Sequence, residues 1–380
     1  MFSPLDEELE LVPGRLSPAL AETVALLGAT VPYAQARVLL ERLAGARLSV
    51  ATMRRHTLVL GTAVVAIETG AVDILEEGTT QPLAGPRSLQ LSVDGAMVPL
   101  TGGKWAEVRT VAIGDLQRER DGNLRATKLS YFSRLTEHAN FTRLATVETH
   151  RRGVEQAEHM VAVNDGAEWI QLFVDVHAPA ATRVLDLSHA GGYVHAAGHT
   201  LADGSCGSWC EVQLTQLVEG EPKQVLGTLA ELSASLAESL PARLVVDQSR
   251  SYLAKREDQI QYRRFKSEGL PIGSGIVESA NKLVVEARCK GAGMHWRPEN
   301  VNSILALRCA ELSGHWQTSA TLAQEYLRLA HIQDRIAGRR AREQSGRCRP
   351  SRPPRIINGR PTDAHPWKRY PVVNPHHAKL

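Results

Sequence analysis

Hydrophobic residues recur at spacings of three and four along residues 14 to 60, a pattern typical of amphipathic helices. LSPALAETVALLG and YAQARVLLERLAG each form one such stretch, the residues from Gly45 to Ser49 interrupt the pattern, and VATMRRHTLVLG resumes it. Ser49 is a suitable N-cap for the last segment. Two short helices around a tight turn, with Arg54 and Arg55 on the second, predict a helix-turn-helix that reads DNA. A helical hairpin that only packs has the same pattern.

Beyond residue 86 the hydrophobic period changes to the alternation of β-strands. SLQLSV, VRTVAIGDL and LSYFSRL predict a three-stranded meander. We expect a helix over ANFTRLATVETHRRGVEQAEH, a short buried strand over MVAVN, and a helix or a pair of strands over AEWIQLFVDVHAPAATRVLDL. Residues 191 to 266 are mainly helical in pattern, and GLPIGSGIVES opens one more helix. The chain is therefore predicted to be an α/β protein.

The composition is that of a soluble globular protein, with 380 residues, 43% of them hydrophobic and 22% charged. At about 150 residues per domain, two or three domains are expected. No apolar run approaches the roughly 20 residues of a membrane span, and the acidic start MFSPLDEELELVPG differs from a signal peptide. Five scattered cysteines argue against a secreted disulfide scaffold. We expect a cytoplasmic protein with no membrane partner.

Charge is distributed unevenly along the chain. Residues 335 to 380 contain 12 Lys and Arg against 2 Asp and Glu, whereas the preceding residues contain 32 basic and 39 acidic groups. A basic tail of this kind usually meets a polyphosphate such as DNA. Beyond Pro350 it has too many Pro and Arg residues, and too few apolar ones, to fold alone.

Two acids directly follow predicted strands. Asp94 directly follows SLQLSV and Asp165 directly follows MVAVN, and each precedes a glycine that allows a sharp turn. A third acid, Glu278, lies in the first turn of a predicted helix, where the helix dipole favours the ionised form. Three such carboxylates suit Mg²⁺ or Mn²⁺, and two of these ions support phosphodiester chemistry. Each acid by itself is equally a turn former or a solvated helix residue.

Three blocks of sequence resemble one family. LSVDGAMVPL with WAEVRTVAIG, then VNDGAEWI, and GLPIGSGIVESANKLVVEARCKGAGMHW resemble bacterial insertion-sequence transposases of the ISKra group, relatives of the Mutator-like DDE transposases. The resemblance covers residues 88 to 316, and more loosely the N-terminal helices and HPWKRYP. It implies a ribonuclease H-like fold with Asp94, Asp165 and Glu278 as the catalytic, metal-binding acids.

The implied domain layout follows from that resemblance. Its five parts are an N-terminal helical DNA-binding region, the first part of the catalytic domain, a helical insertion, the Glu-bearing helix with the end of the catalytic domain, and a C-terminal helix with the basic tail. Their bounds are 1–85, 86–190, 191–268, 269–316 and 317–380. Gly191 and Gly192 lie where relatives begin a helix, so the start of the insertion is an open point.

The implied activity is DNA transposition. Two Mg²⁺ or Mn²⁺ ions would assist cutting of the element's double-stranded ends, at terminal inverted repeats, and their joining to target DNA. Because two ends are joined in concert, a homodimer or larger homo-oligomer is expected. A catalytically silent, DNA-binding transposase remnant and a ribonuclease H-like nuclease or resolvase are the alternatives.

Further residues are candidates for handling DNA. Asp186 and His189 match the Asp-x-x-His motif of Mutator-like enzymes, although a satisfied polar pair at a strand end has the same sequence. Lys282, one turn after Glu278, is either its salt-bridge partner or a phosphate contact. Arg288 and Trp296 suit backbone contact and stacking on an unpaired base, and Trp296 is equally suited to anchoring a core.

A competing set of residues lies within the insertion. His195 and His199 are four residues apart, as are Cys206 and Cys210, and these types and spacings are permitted for structural zinc. Two helix-face histidines and two free thiols have the same pattern. We favour the second interpretation, because the family pattern does not require these residues.

Overall fold

The computed structural model describes residues 16–78, 88–120, 122–201, 206–236 and 241–344, together with two short strands near the C-terminus. The chain divides into two compact units, Met1–Arg328 and Leu329–Leu380. In the second unit Ile356–Ile357 pairs antiparallel with Arg360–Pro361. Most of the basic tail, including HPWKRYP, lies outside the described residues.

A mixed five-stranded sheet forms the centre of the first unit. Its strands are β1 (Ser88–Pro99), β2 (Trp105–Arg118), β3 (Leu124–Arg134), β4 (His159–Asn164) and β5 (Thr182–Leu185). The order across the sheet is β3-β2-β1-β4-β5. β1, β2 and β3 pair antiparallel, as the alternating pattern predicted, whereas β4 and β5 extend the sheet in parallel from β1. The chain is therefore an α/β protein.

Helices make up most of the rest of the described chain, with 3-10 turns at Val154–Gln156 and Glu257–Gln259. In chain order they are α1 (Pro18–Thr30), α2 (Tyr33–Ala44), α3 (Val50–Glu76), α4 (His138–Arg151), α5 (Glu168–His177), α6 (Leu187–Gly198), α7 (Cys206–Glu219), α8 (Pro222–Ser235), α9 (Pro241–Ala254), α10 (Tyr262–Ser267), α11 (Gly275–Ala280), a π-helical segment (Asn281–Glu286), α12 (Ala287–Cys289), α13 (Pro298–Leu312) and α14 (Trp316–Gln344). The segment after MVAVN, for which a helix or two strands were expected, is helix α5 followed by β5.

The alternation of β1 explains how the two faces of the sheet are covered. Leu89, Leu91 and Val93 point to one face and pack with α4 and α5, for example with Phe141 and Phe173. The intervening positions point to the other face, where Ala96 and Val98 pack with α11, the π-helical segment and α13. Asp94 belongs to this second set, so the fold directs it toward the helix that carries Glu278.

The predicted insertion is a helical layer beside β5. Helix α6 begins at Leu187 and continues through Gly191 and Gly192 without a break. Helices α6 to α10 pack in one cluster with Val163, Val184 and Leu185 of the neighbouring strands. This layer therefore lies against the strands that end at the predicted acids.

The N-terminal helices belong to the first unit and pack against its other elements. Ser49 is the N-cap of α3, as predicted, since its Oγ accepts a hydrogen bond from the Thr52 amide at 3.1 Å. Helix α3 has 27 residues and is not the short second helix of a hairpin. It packs on α13, where the Thr62 and Ser303 hydroxyls lie 2.9 Å apart.

Helix α3 also corrects the expectation that no segment reaches membrane-spanning length. Within the described residues it alone is long and apolar enough, with a mean hydropathy of 1.9 over its most apolar window. Its Glu68 is buried and forms an ion pair with Arg134 of β3. These contacts dock α3 on the rest of the unit, with 33% of that window buried, and the structure is consistent with a soluble protein.

Candidate active site

A cavity of about 300 Å³ opens where β4 and β5 end, beside the middle of β1 and the start of α11. Five predicted residues line it although they are far apart in the sequence. Its lining residues are Val93, Asp94, Asp165, Asp186, Ser188, His189, Ser274, Val277 and Glu278. The structure thus brings the three predicted acids together with both residues of the Asp-x-x-His motif.

Asp94 is held at both carboxylate oxygens. Its Oδ1 accepts a hydrogen bond from the Gly95 amide at 2.7 Å, and its Oδ2 accepts one from Asn281 Nδ2 at 2.9 Å. Burial raises the pKa of Asp94, and the charges of Asp165 and Glu278 add to this effect, while the two hydrogen bonds oppose it. The electrostatic influence of both other acids follows from their closeness in the cavity.

Asp165 lies where two parallel strands separate. The last paired residues of β1 and β4 are Leu91 and Ala162, and beyond them Asn164 Oδ1 accepts the Val93 amide at 2.6 Å in place of a backbone partner. The Asp165 Oδ1 then accepts the Ala167 amide at 2.9 Å. Strand separation opens the cavity, and this turn directs the second carboxylate toward it.

Asp186 has a clear structural role. It caps α6, because its Oδ1 accepts the His189 amide at 2.8 Å, and its Oδ2 accepts the Ser274 amide at 2.7 Å. Both Asp186 and Ser274 are buried. Since Ser274 is the N-cap residue of α11, Asp186 ties the end of β5 to the start of the helix that carries Glu278.

Glu278 is exposed toward the cavity on the first turn of α11. The helix then widens into the π-helical segment, a rare form that is frequent at functional sites. Asn281, the first residue of this segment, is buried, and its Oδ1 is without a hydrogen-bond partner among the described residues. Its bond to Asp94 therefore connects the Glu-bearing helix directly to β1.

Among the nine described residues that line the cavity, four are Asp or Glu and none is Lys or Arg. Carboxylate oxygens are the ligands that Mg²⁺ and Mn²⁺ prefer, and here they line one cavity with excess negative charge. Within the described ranges, no group of three or more His, Cys, Asp or Glu side chains has the spacing of a formed metal centre. The acids thus share a cavity while each keeps its own hydrogen-bond partners.

The remaining candidates for contact with DNA fall into two groups. Arg54, Arg55 and Lys282 are exposed and accessible to a large partner. Arg288 and Trp296 are buried, so the structure does not present them to DNA. The Arg288 guanidinium lies between the rings of Tyr33 and Trp296, at 4.8 and 4.9 Å from their centroids.

Arg288 and Trp296 are therefore packing anchors. The Arg288 Nε donates to the Gly28 carbonyl at 3.0 Å, and the Trp296 Nε1 donates to the Cys289 carbonyl at 3.2 Å. Their neighbours explain why the prediction of DNA contact was wrong. A cation beside aromatic residues has the same sequence pattern whether the partner is a nucleobase or another helix.

The histidines and cysteines of the insertion lie apart from this cavity. Cys206 Sγ is 3.8 Å from Cys210 Sγ and 3.4 Å from His199 Nδ1, and both thiols are free. Burial raises the pKa of the Cys210 thiol to about 11. Within the described part of the chain no group of three such side chains has the geometry of a metal site. Structural zinc and free thiols therefore both stay predictions.

Sequence reasoning missed three residues that organise the cavity. Asn281 orients Asp94, and Tyr252 and Arg256 of the insertion contact the turn after Asp165. Asn281 has a local signal, since it lies three residues after Glu278 on one helix face. Tyr252 and Arg256 have none, because they reach their partners only through the tertiary fold.

A comparison with models of protein families finds none that matches the chain. A comparison with curated proteins likewise finds no match. What the cavity does is therefore inferred from its residues and from the sequence motifs.

Proposed function

We propose that residues 86 to 316 form a ribonuclease H-like catalytic domain with a helical insertion. The strand order β3-β2-β1-β4-β5, with an antiparallel meander and two parallel strands, supports this assignment. So does the location of Asp94 on β1 and Asp165 directly after the adjacent β4. The third acid, Glu278, follows the insertion on its own helix.

Within that fold, the protein acts as a DDE-type DNA transposase of a bacterial insertion sequence. One observation carries the proposal: Asp94, Asp165 and Glu278, separated by 71 and 113 residues, line one cavity. Turn-forming acids with no common task have no reason to converge in this way. The family motifs around the same three residues support the same activity.

Asp94, Asp165 and Glu278 would hold two Mg²⁺ or Mn²⁺ ions. Such ions activate an attacking oxygen and stabilise the leaving oxygen in phosphodiester cleavage and joining. The chain's own contribution is preorganisation, since Gly95 and Asn281 fix the carboxylate of Asp94, and Asp186 fixes the start of the Glu278 helix.

Double-stranded DNA is the proposed partner, at terminal inverted repeats and at the target. Lys282 is exposed one turn after Glu278, where it suits a phosphate contact. Arg54 and Arg55 are exposed on α3, the helix proposed to read the repeats. Joining of two ends calls for a homodimer or larger homo-oligomer acting in the bacterial cytoplasm.

A cleavage and strand-transfer assay tests the proposal. The substrate is double-stranded DNA that carries the inverted repeats flanking the gene, incubated with Mg²⁺ and a target plasmid. Wild type is expected to cut the ends and join them. Asp94→Asn, Asp165→Asn and Glu278→Gln are expected to bind the ends but to lose cleavage by at least about a hundredfold.

Asp258→Asn, which changes an exposed acid on the insertion, is the matched control and should retain cleavage. Cleavage without joining would indicate a nuclease or resolvase. Binding without cleavage by wild type would indicate a silent, DNA-occupying protein. Either result would overturn the assignment as an active transposase.

A further inference from the structure

The helical insertion contacts the turn that carries Asp165 through two side chains. The Tyr252 hydroxyl donates to the carbonyl oxygen of Asp165. Arg256 donates to the carbonyl oxygen of Gly166 from Nη2 at 2.6 Å and from Nε at 3.0 Å. The peptide carbonyls of Asp165 and Gly166 are thus both bound by the end of α9 and the residues that follow it.

The turn and these side chains fit closely. Gly166 has a φ of +81°, in the left-handed region that favours glycine. A Cβ built on Gly166 would lie 2.7 Å from Arg256 Nε, 2.7 Å from the Tyr252 hydroxyl oxygen and 2.9 Å from Leu185 Cδ1. The turn therefore has no room to shift toward the insertion.

The two contacting side chains are themselves fixed. The Arg256 guanidinium lies 3.8 Å from the centroid of the Tyr252 ring, and its Nη1 donates to the Tyr252 carbonyl at 3.1 Å. Tyr193 of α6 stacks on Tyr252, with ring centroids 3.9 Å apart and an interplanar angle of 16°. The ring of His189, which lines the cavity, lies 5.6 Å from that of Tyr193 and 6.0 Å from that of Tyr252 between centroids.

We propose that Tyr252 and Arg256 are positioning residues for Asp165. Neither lines the cavity, so they act on the reaction through the turn. The carboxylate follows the backbone of that turn because its Oδ1 accepts the Ala167 amide at 2.9 Å. The insertion then contributes to catalysis by fixing an acid, in addition to any contact it makes with DNA. This inference rests on the proposed role of Asp165.

We call the contacts of Tyr252 and Arg256 with the Asp165 turn the clamp. Amide hydrogen exchange at single-residue resolution tests this clamp without reference to activity. The Ala167 amide reports the orientation of Asp165, and the Gly95 amide reports that of Asp94. In Tyr252→Phe and Arg256→Met, the Ala167 amide is expected to exchange at least about tenfold faster while Gly95 is unchanged. Arg250→Met, an exposed arginine on α9, is the matched control and should leave both amides unchanged.

Mn²⁺ titration and DNA binding provide the second readout. The clamp variants are expected to bind Mn²⁺ about tenfold more weakly, as for other residues that orient a metal ligand. Their affinity for the element ends should stay within about twofold of wild type, and Arg256→Lys should recover part of the Mn²⁺ affinity. A role in general stability would not produce this separation.

Two results would overturn the clamp. One is an Ala167 amide as protected in the variants as in wild type; the other is equal acceleration of Ala167, Gly95 and the core amides. Failure of the proposed function is seen separately, as wild type that takes up no Mn²⁺ and cleaves no DNA. In that case selective acceleration at Ala167 would still show that Tyr252 and Arg256 fix the turn.

Discussion

At the scale of single residues, the cavity is organised by neutral hydrogen-bond donors. Asp94 accepts bonds from Gly95 and Asn281, and Asp165 accepts one from Ala167. A carboxylate held in this way keeps its orientation before any ligand arrives, which reduces the reorganisation that binding requires. Repulsion between the carboxylates lowers the stability of the folded chain, because three acids are close together in one cavity.

The pH dependence of stability should reveal how much the ionised carboxylate of Asp94 destabilises the fold. Burial, with the charges of Asp165 and Glu278, raises its pKa in the folded chain. A carboxyl whose folded pKa is raised contributes stability at low pH and loses it as the pH rises through the folded pKa. Asp94→Asn should therefore melt a few degrees above wild type at pH 7, in the absence of divalent metal.

The difference in Tm between Asp94→Asn and wild type should shrink as the pH falls toward about 4, where an unperturbed Asp is half protonated. Thermal unfolding in EDTA across this range measures it. Asp258→Asn, at an exposed site, should show no such trend. An Asp94→Asn protein that is less stable than wild type at every pH would contradict the electrostatic account.

At the scale of elements, the sequence predicted the features that local periodicity determines and missed those that depend on contacts between residues far apart in the chain. The meander and the strand before Asp165 have local periodicity, and both were predicted. The helix or strand pair after Asp165 was ambiguous, since apolar residues continue from α5 into β5. The burial of Arg288 and the contacts of Tyr252 depend on residues distant in the sequence, for which a single sequence contains no signal.

Gly166→Ala tests the fit between the insertion and the turn. The positive φ and the contacts of a new Cβ with Arg256 and Tyr252 should lower the free energy of unfolding by about 2–4 kcal/mol. Cleavage should be lost as well, because the Asp165 turn must move. Chemical denaturation measures the first effect and the cleavage assay the second.

Gly227→Ala is the control for that substitution, within helix α8 of the same layer. A Cβ on Gly227 would have no neighbour within 4 Å, so alanine should raise the free energy of unfolding by about 0.5–1 kcal/mol. Equal effects of the two substitutions would show that the turn tolerates a side chain and is not closely held.

At the scale of the whole molecule, the N-terminal helices are part of the packed unit. Glu68 of α3 and Arg134 of β3 form a buried ion pair, and the Arg134 guanidinium lies 4.3 Å from the centroid of the Phe132 ring. A DNA-reading helix joined rigidly to the catalytic sheet would fix the distance between the repeat and the cleaved bond.

Glu68→Gln tests whether the ion pair with Arg134 holds α3 against β3. Removal of one partner from a buried ion pair leaves the other charge uncompensated and should cost about 3–5 kcal/mol of stability. Asp73→Asn, which removes one exposed carboxylate partner of Arg143, should change stability very little. If both variants unfold at the wild-type denaturant midpoint, α3 is not docked as the structure has it.

The basic tail is proposed to strengthen DNA binding through its charge. Each Lys or Arg that neutralises a phosphate steepens the salt dependence of DNA binding. A chain without residues 338 to 380 should therefore show a flatter plot of log affinity against log salt. An unchanged slope would mean that the tail makes no contact with DNA.

The central claim is that Asp94, Asp165 and Glu278 hold divalent ions in common. Crystals of the wild-type protein soaked in Mn²⁺, with data collected at the manganese absorption edge, test it most directly. We predict anomalous density within about 2–2.5 Å of oxygens from all three side chains, lost in Asp94→Asn. Saturating Mn²⁺ that leaves the cavity without anomalous density, or that binds only elsewhere, would contradict the account.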